Sequence, residues 1–365
     1  MNKKSLAISF VVGAAISAVG LYYAFLQVPI DTLGQYLREV NYWWLIPATG
    51  VVAITFVLRT VRWQLIMRSI HRLDFSDAYH PLIMGFGANC ILPGRVGELV
   101  RPALMKREKK VPFFGVFATV ATERVFDLAV LLALLVGTMA FIEVDPGRVV
   151  QFAGYELDKG TLENVAAGMV RLAAVLLVGM ILVSVTTTRQ LIQRMVMWSP
   201  SALFFLPGAL KEKLRQAVSR RVVDVIHGIA KGFALLHSAP LIAACAGLTI
   251  LIWVFSGAIY WVVGLGTPDV GLDFPQFMAV MVLVCFFIAL PSVPGFWGLW
   301  EAGGMFAMGL FGVPAREALG FTLVCHVVQI FPVIVAGLVS AVIKGVSIWQ
   351  VVAVEEDAEG GEAPA

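Results

Sequence analysis

Charged side chains are scarce in this sequence of 365 residues. Asp, Glu, Lys and Arg make up 14% of it, whereas about a quarter of the residues in a soluble domain are charged. Hydrophobic residues make up 59%. This composition excludes an ordinary soluble protein and predicts a polytopic integral membrane protein. The net charge is only +3 and the basic residues stand in short clusters between apolar segments, so we expect no nucleic-acid partner.

Motifs for metal, nucleotide or redox chemistry are also missing. The four cysteines lie inside apolar segments without a C-x-x-C spacing, and the five histidines are dispersed, which argues against disulfides and zinc sites. The sequence has no H-E-x-x-H, P-loop or G-x-S-x-G motif and no complete G-x-G-x-x-G motif. We therefore expect no metal site, no cofactor and no enzymatic activity.

Six apolar segments are long enough, or nearly long enough, to cross a bilayer as helices. We favour an uncleaved helix over a cleaved signal peptide for the first of them. The predicted spans are 6–25, 43–58, 113–143, 169–186, 240–265 and 318–343.

Two further apolar segments, 78–92 and 277–290, are too short to cross. A helix of about 15 residues covers roughly 22 Å. Each segment ends in a break, after which a second arm leads into a long helix. Proline and glycine free backbone groups that lipid cannot satisfy, so the breaks must face protein or water. We predict two re-entrant helical hairpins, with structural breaks at Pro93, Gly94, Pro291, Pro294 and Gly295.

The positions of the 27 Lys and Arg residues predict the orientation. Most of them fall on the cytoplasmic side if both termini are cytoplasmic and each hairpin returns to its own side. The first hairpin then enters from the cytoplasm and the second from outside. The two halves, about 78–143 and 277–343, would form an inverted-topology repeat, an arrangement in which transporters place broken helices at the bilayer midplane.

A single polytopic membrane domain is predicted for residues 1–350. Within it, residues 189–238 mix basic and apolar side chains at helical spacing. This pattern predicts a cytoplasmic amphipathic segment at the membrane surface, with a partner-binding module as the alternative. The short acidic tail, 351–365, is expected to be disordered.

Ionisable side chains stand within or directly after several apolar segments. Each such side chain costs about 2.5–3.5 kcal/mol at the bilayer midplane even on a lenient scale, so we expect these groups to face a polar interior. Glu123 and Asp127 share one helix face. A neutralising network that only fastens the hairpin is one interpretation, and a substrate or ion pathway is the other. The predicted substrate-binding residues are Arg95, Glu98, Arg101, Glu123, Arg124, Asp127, Glu301 and His326.

Three motifs in order resemble the flippase-like transmembrane family, which includes the membrane domain of lysylphosphatidylglycerol synthases (multiple peptide resistance factors). They are N-x-x-L-P-G-R-x-G-E-x-x-R at 89–101, E-R-x-x-D at 123–127 and P-x-x-P-G-x-x-G-x-x-E at 291–301. The resemblance implies spans with re-entrant segments and movement of aminoacylated phosphatidylglycerol or other lipids between leaflets. Phe296 and Trp297 depart from the small residues often found after the Pro-Gly. We expect no soluble synthase domain and therefore no synthesis of lysyl-lipid.

These observations predict a lipid translocase of the bacterial inner membrane. The arginines of the first hairpin would hold a lipid phosphate, and Glu98, Glu123 or Glu301 would receive a cationic head group or a coupling proton. Two alternatives remain: a scaffold that docks a separate cytoplasmic lipid-modifying enzyme, and an integral-membrane transferase acting on a lipid carrier. The expected partner is a membrane phospholipid or a lipid-linked substrate, and a homo-oligomer is compatible with the sequence.

Overall fold

The computed structural model describes residues 14–15, 17–22, 25–92, 96–141, 150–152, 155–157, 167, 171, 238–290 and 293–346. Helices dominate this part of the chain, which confirms the predicted helical membrane fold in its general form. The helices are α1 (Ile30–Glu39), α2 (Leu45–Met67), α3 (Phe75–Ile91), α4 (Gly97–Lys109), α5 (Phe113–Phe141), α6 (Ala239–Gly266), α7 (Phe274–Phe287), α8 (Leu299–Leu310) and α9 (Ala315–Ile343). Short 3-10 turns lie at Tyr42–Trp44 and Pro294–Phe296.

A small antiparallel hairpin interrupts the all-helical architecture that the sequence predicted. Strands β1 (Val150–Phe152) and β2 (Tyr155–Leu157) pair with Phe152 opposite Tyr155. Valine, phenylalanine and tyrosine favour strands, and an Ala-Gly pair separates the two strands in the sequence, as suits a tight connection.

Three of the described helices are long and apolar enough to cross a membrane: Tyr42–Met67, Ala239–Gly266 and Ala315–Ile343. They correspond to the predicted spans at 43–58, 240–265 and 318–343. The predicted span at 113–143 is α5, a helix of 29 residues. Residues 14–15, 17–22 and 25–27 of the first predicted span and its continuation are helical.

Several predictions fall on other parts of the chain. Apart from residue 171, the predicted span at 169–186 lies outside the described residues, and so does all of 189–238 except its last residue. The acidic tail also lies outside them, as do the predicted site residue Arg95 and the break residues Pro93, Gly94 and Pro291.

α3 and α4 form a helix pair whose far ends lie together. The Lys109 ammonium, in the last turn of α4, is 2.5 Å from the Asp77 carboxylate in the first turn of α3. Near the break the two helices touch, because a Cβ added to Gly97 would lie 1.9 Å from the carbonyl oxygen of Gly85. Lys110, in the left-handed conformation with φ of 56°, ends α4. The second helix therefore returns to the end at which the first begins.

α7 and α8 form a second helix pair at the other end of α9. Two reciprocal hydrogen bonds fix the start of α7. The Asp273 carboxylate accepts from the backbone N–H of Gln276 at 2.9 Å, and the side-chain oxygen of Gln276 accepts from the backbone N–H of Asp273. Phe277, in its first turn, lies with its ring 5.3 Å from that of Phe321, near the start of α9. α8 ends at Leu310, shortly before α9 begins. Both α7 and α8 thus have their outer ends beside the start of α9.

α9 connects the two helix pairs. Its 29 residues extend for about 43 Å, and beyond its end the Lys344 ammonium lies 3.1 Å from the Glu108 carboxylate of α4. The two breaks also approach each other, since a Cβ added to Gly295 would lie 3.4 Å from the carbonyl oxygen of Cys90. The outer ends of the two helix pairs therefore lie at opposite ends of α9, and the breaks of the two pairs lie close together.

Candidate functional site

Seven charged side chains gather where α2, α4 and α5 pack together. Four are arginines and three are carboxylates, so the group carries one net positive charge when all are ionised. We call it the charged cluster, and it consists of Arg59, Arg62, Glu98, Arg101, Glu123, Arg124 and Asp127. The structure thus brings together five of the residues that the sequence predicted for a substrate site: Glu98, Arg101, Glu123, Arg124 and Asp127.

Arg62 occupies the centre of the charged cluster, with 1% of its surface exposed. Its guanidinium donates to both carboxylate oxygens of Asp127, at 2.6 and 3.2 Å. It also donates to the hydroxyl of Thr249 on α6, at 2.8 Å. This two-pronged contact fixes the planes of both groups and is among the strongest pairings available to side chains. Arg62 therefore joins three helices at one point.

Arg62 and Arg59 were not predicted as site residues, because the predicted span 43–58 ends before both of them. In the structure α2 continues through both residues to Met67. The signal was present in the stretch R-T-V-R-W-Q-L-I-M, where apolar residues continue at helical spacing beyond the arginines. Two acidic residues in α5 that need cationic partners were a second signal.

The other charges extend from this buried centre to an exposed edge. Glu123, 2% exposed, accepts a hydrogen bond from the Arg101 guanidinium. At the edge, the Arg124 side chain is 37% exposed, and its Nε lies 3.1 Å from the Glu98 carboxylate. Its Nη1 lies 3.5 Å from the Asp127 carboxylate. The charged cluster is therefore continuous from the interior to the surface.

The ring of Phe86, on α3, holds the arginines together. The guanidinium carbons of Arg59, Arg101 and Arg124 lie 5.3, 5.0 and 5.7 Å from the centre of this ring. A guanidinium at this distance is attracted by the negative face of an aromatic ring. Arg101 also lies 5.3 Å from the ring of Trp63. Aromatic contacts thus stabilise cations that would otherwise repel one another.

Some polar atoms of the charged cluster have no hydrogen-bond partner among the described residues. They include the Nε atoms of Arg62 and Arg101, and the Oε1 atom of Glu123, which lies 3.7 Å from an Arg62 nitrogen. Leaving a buried donor without a partner is costly. Free donors next to a net positive charge are suited to an anion with several acceptor oxygens, such as phosphate.

Glu301 and His326 form a second buried site at the break between α7 and α8. Both side chains are fully buried, and Glu301 Oε1 lies 2.5 Å from His326 Nδ1. The other Glu301 oxygen accepts from the amide of Gly298 at 2.7 Å, and His326 Nε2 lies 2.7 Å from the carbonyl oxygen of Gly295. Because a carbonyl can only accept, Nε2 carries a proton. One further proton is therefore shared between Glu301 and Nδ1, and the pair is neutral wherever that proton resides.

These contacts fix an unusual backbone. Gly295 and Gly298 have φ of 75° and 87°, and Phe296 has φ of 62°, a region that side chains other than glycine seldom adopt. The imidazole of His326 lies between the rings of Trp297 and Trp300, with centres 4.4 and 4.5 Å away. Glu301 and His326 thus hold the second break in one shape.

The two sites are separate in their direct contacts. Within the described part of the chain, no hydrogen bond or ion pair joins the Glu301–His326 pair to the charged cluster. The described residues also contain no group of three His, Cys, Asp or Glu side chains arranged to hold a metal ion.

Comparison with known proteins gives one family and one relative. The family model of the lysylphosphatidylglycerol synthase transmembrane region matches residues 10–337. The glycosyltransferase AglD of Haloferax volcanii is 27% identical over 375 residues, which cover 96% of this chain and 57% of that protein. The chain therefore spans little more than half the length of this curated relative.

Comparison with this relative bears on two predictions, the one about enzymatic activity and the one about location. The prediction that the protein has no enzymatic activity is wrong on this finding, because a protein similar to nearly the whole chain is named as an enzyme. The prediction of no enzymatic activity rested on the absence of catalytic motifs, and the motifs that were sought are those of known soluble enzymes. The relative is archaeal, so the bacterial inner-membrane location stays a prediction. The family match covers most of the 365 residues, and this membrane protein belongs to the lysylphosphatidylglycerol synthase transmembrane-region family.

Proposed function

We propose that this protein moves a phosphate-bearing lipid or lipid-linked molecule between the leaflets of a membrane, with the charged cluster as the head-group site. The observation that carries this proposal is the net positive charged cluster, at whose buried centre the Nε donors of Arg62 and Arg101 have no partner among the described residues. A lipid phosphodiester carries one negative charge. Its binding would neutralise the cluster, so the head group could enter a medium of low dielectric without leaving an uncompensated charge.

The proposed path needs two re-entrant hairpins inserted from opposite sides. The contact of Asp77 with Lys109 supports a first hairpin that enters and leaves on one side. The contact of Phe277 with Phe321 supports a second hairpin on the other side. Residues 78–143 and 277–343 would then be the two halves of an inverted repeat. The positive-inside rule places the Lys344 side in the cytoplasm.

The exposed edge of the charged cluster supplies the proposed way in. Arg124 is a partly exposed arginine of the cluster, and it contacts both Glu98 and the buried Asp127. A phosphate that contacts Arg124 beside Glu98 would next meet the buried guanidiniums. Glu98, at the same edge, would contact the cationic head group of a lipid that has one. The sequence of contacts thus runs from surface to interior through one arginine.

A proteoliposome assay tests the proposal. Fluorescently labelled phosphatidylglycerol is placed in both leaflets, and membrane-impermeant dithionite reports the lipid that reaches the outer leaflet. We expect wild-type protein to speed this step over protein-free vesicles, and Arg124→Gln to slow it about tenfold or more, because a hydrogen bond to a charged group contributes about 1.5–3 kcal/mol.

Arg316→Gln is the matched control. Arg316 pairs with Glu317 at the start of α9 and is not part of the charged cluster, so this variant should leave the rate unchanged. Folded wild-type protein that gives the rate of protein-free vesicles would overturn the proposal.

The name of the relative favours a second candidate, a transferase that acts on a lipid carrier. The chain spans only 57% of that relative, so we assign the transfer step to no residue here. This candidate predicts turnover in detergent, without a membrane. Incubation with polyprenyl phosphate and a radiolabelled nucleotide sugar should then give a labelled lipid, and absence of that product would count against it. The docking-scaffold alternative concerns residues 189–238 and stays a prediction.

A further inference from the structure

A cavity of about 580 Å³ lies at the end of α2, apart from the charged cluster. It is formed by the last turns of α2, the segment 68–74, the first turn of α3 and the last turn of α4. Ligand sites in proteins commonly measure about 300–1,000 Å³. The cavity therefore has the size of a site for a head group or other small molecule.

Cationic side chains dominate the rim of this cavity. Arg68, His71 and Arg72 line it and are exposed. Neither of the two arginines forms an ion pair with any residue that the structure describes. The cavity also contains two carboxylates, Asp74 and Asp77. Asp77 is already paired with Lys109 and Lys344, so the arginines remain available to an anion.

The ion pairs of Asp77 account for one of the two negative charges in the lining of the cavity. Its carboxylate lies 2.5 Å from the Lys109 ammonium and 3.7 Å from that of Lys344. With Asp74 counted as fully charged, the arginines and these lysines still exceed the carboxylates. A phosphate oxygen at the rim would meet guanidiniums, which bind phosphate with two parallel hydrogen bonds.

One wall of the cavity is apolar. Val61 and Leu65 lie one turn apart on α2, and with Leu73 they supply the apolar part of the lining, beside the polar Gln64. α2 is long and apolar enough to cross a membrane, and a crossing helix would place this wall, near its end, close to the membrane boundary. A cationic rim beside an apolar wall matches an amphiphile, whose phosphate and first methylene groups need both. A free phosphate ion would use only the rim.

We propose that this cavity binds the phosphate of a lipid head group on the side of the membrane that holds Lys344. Arg68 directly follows the last residue of α2 and is six residues beyond Arg62, a rise of about 9 Å along the helix axis. The cavity is thus placed to deliver a lipid to the charged cluster. This delivery role rests on the proposed function, whereas binding in the cavity does not.

Binding to the purified full-length protein in a neutral detergent tests the proposal by calorimetry. The probes are dihexanoyl phosphatidylglycerol and inorganic phosphate. We expect Arg68→Gln/Arg72→Gln to weaken phosphatidylglycerol binding at least tenfold, because two charge-assisted contacts are lost. Arg38→Gln, an exposed arginine on α1, is the control and should bind as wild type does. Inorganic phosphate should bind at least tenfold more weakly than the lipid.

Two outcomes would overturn the proposal. Unchanged lipid binding by the double variant would remove the site, and equal binding of inorganic phosphate would assign the cavity to a soluble ligand. Lipid titration of the Arg124→Gln protein, in which binding at the charged cluster is weakened, measures the binding that the cavity itself contributes. If the double variant loses lipid binding but the wild-type protein moves no lipid in vesicles, only the proposed translocation is rejected. If the wild-type protein moves lipid but binding does not depend on Arg68 and Arg72, only the proposed binding in the cavity is rejected.

Discussion

Replacement of Arg62 by alanine is expected to lower the free energy of unfolding by about 3–5 kcal/mol. Arg62 is 1% exposed and holds both oxygens of Asp127. Removal of the guanidinium leaves that carboxylate buried and deprives it of its closest cation. The stability is measured by denaturant unfolding in mixed micelles, with tryptophan fluorescence as the signal. Translocation should be lost as well, because the variant lacks the central cation of the charged cluster.

Two further substitutions on α6 separate the ion pair from general disturbance of the core. Thr249→Val removes one acceptor of the Arg62 guanidinium and should cost about 1.5–3 kcal/mol. Ser256→Ala is the matched control, because its buried hydroxyl donates to Ile252 within the same helix, and we expect it to cost less than about 1 kcal/mol. If Arg62→Ala costs no more than Ser256→Ala, Arg62 does not hold the cluster.

The double variant Arg62→Met/Asp127→Leu tests why the pair exists. Apolar replacement of a buried ion pair is often neutral or stabilising, while removal of one partner is not. We therefore expect the double variant to recover most of the stability lost in Arg62→Ala but none of the translocation. Recovery of both would show that the charges serve only the fold.

Replacement of Glu301 by alanine is expected to have an effect of similar size at the second break. It leaves the Gly298 amide and the His326 Nδ1 atom without their partner. Each unsatisfied buried group costs about 1–3 kcal/mol, so the free energy of unfolding should fall by about 2–6 kcal/mol. The same unfolding measurement applies.

Glu301→Gln distinguishes a structural role of this pair from a role in proton coupling. The glutamine oxygen can accept from the Gly298 amide while its NH₂ group donates to neutral His326 at Nδ1. We expect a loss of less than about 1 kcal/mol, because every hydrogen bond is kept. The variant cannot take up a proton at this position. If Glu301 carries a coupling proton, the variant should lose any dependence of translocation on a pH gradient. Retained dependence would assign the pair to the fold alone.

Local features of the sequence were sufficient to predict the helix pairs. The short apolar arms and the Pro-Gly breaks predicted helices close to α3 and α7, which the structure places at Phe75–Ile91 and Phe274–Phe287. The three motifs were sufficient to predict the family. Both features are encoded within about 15 neighbouring residues, so they need no knowledge of the tertiary structure.

The partners within each site were not predictable in the same way. Hydropathy ended the second predicted span at residue 58, before Arg59 and Arg62, because arginines are unfavourable in a membrane helix. Its acceptor Thr249 is 187 residues away in the chain, and no local pattern connects them. The proton shared by Glu301 and His326 depends likewise on the Gly295 carbonyl, which becomes an acceptor for the imidazole only in the folded break.

Two-sided labelling tests most directly whether oppositely inserted hairpins build the polar interior. Single cysteines are placed at the outer ends of the first pair (Ser76→Cys, Arg107→Cys) and beside those of the second (Asp269→Cys, Pro314→Cys) in a protein whose native cysteines are replaced. A membrane-impermeant maleimide is then applied to sealed vesicles of each orientation. The account predicts that the first two positions react only from one face and the last two only from the other. Reaction of Ser76→Cys and Arg107→Cys from opposite faces would contradict it.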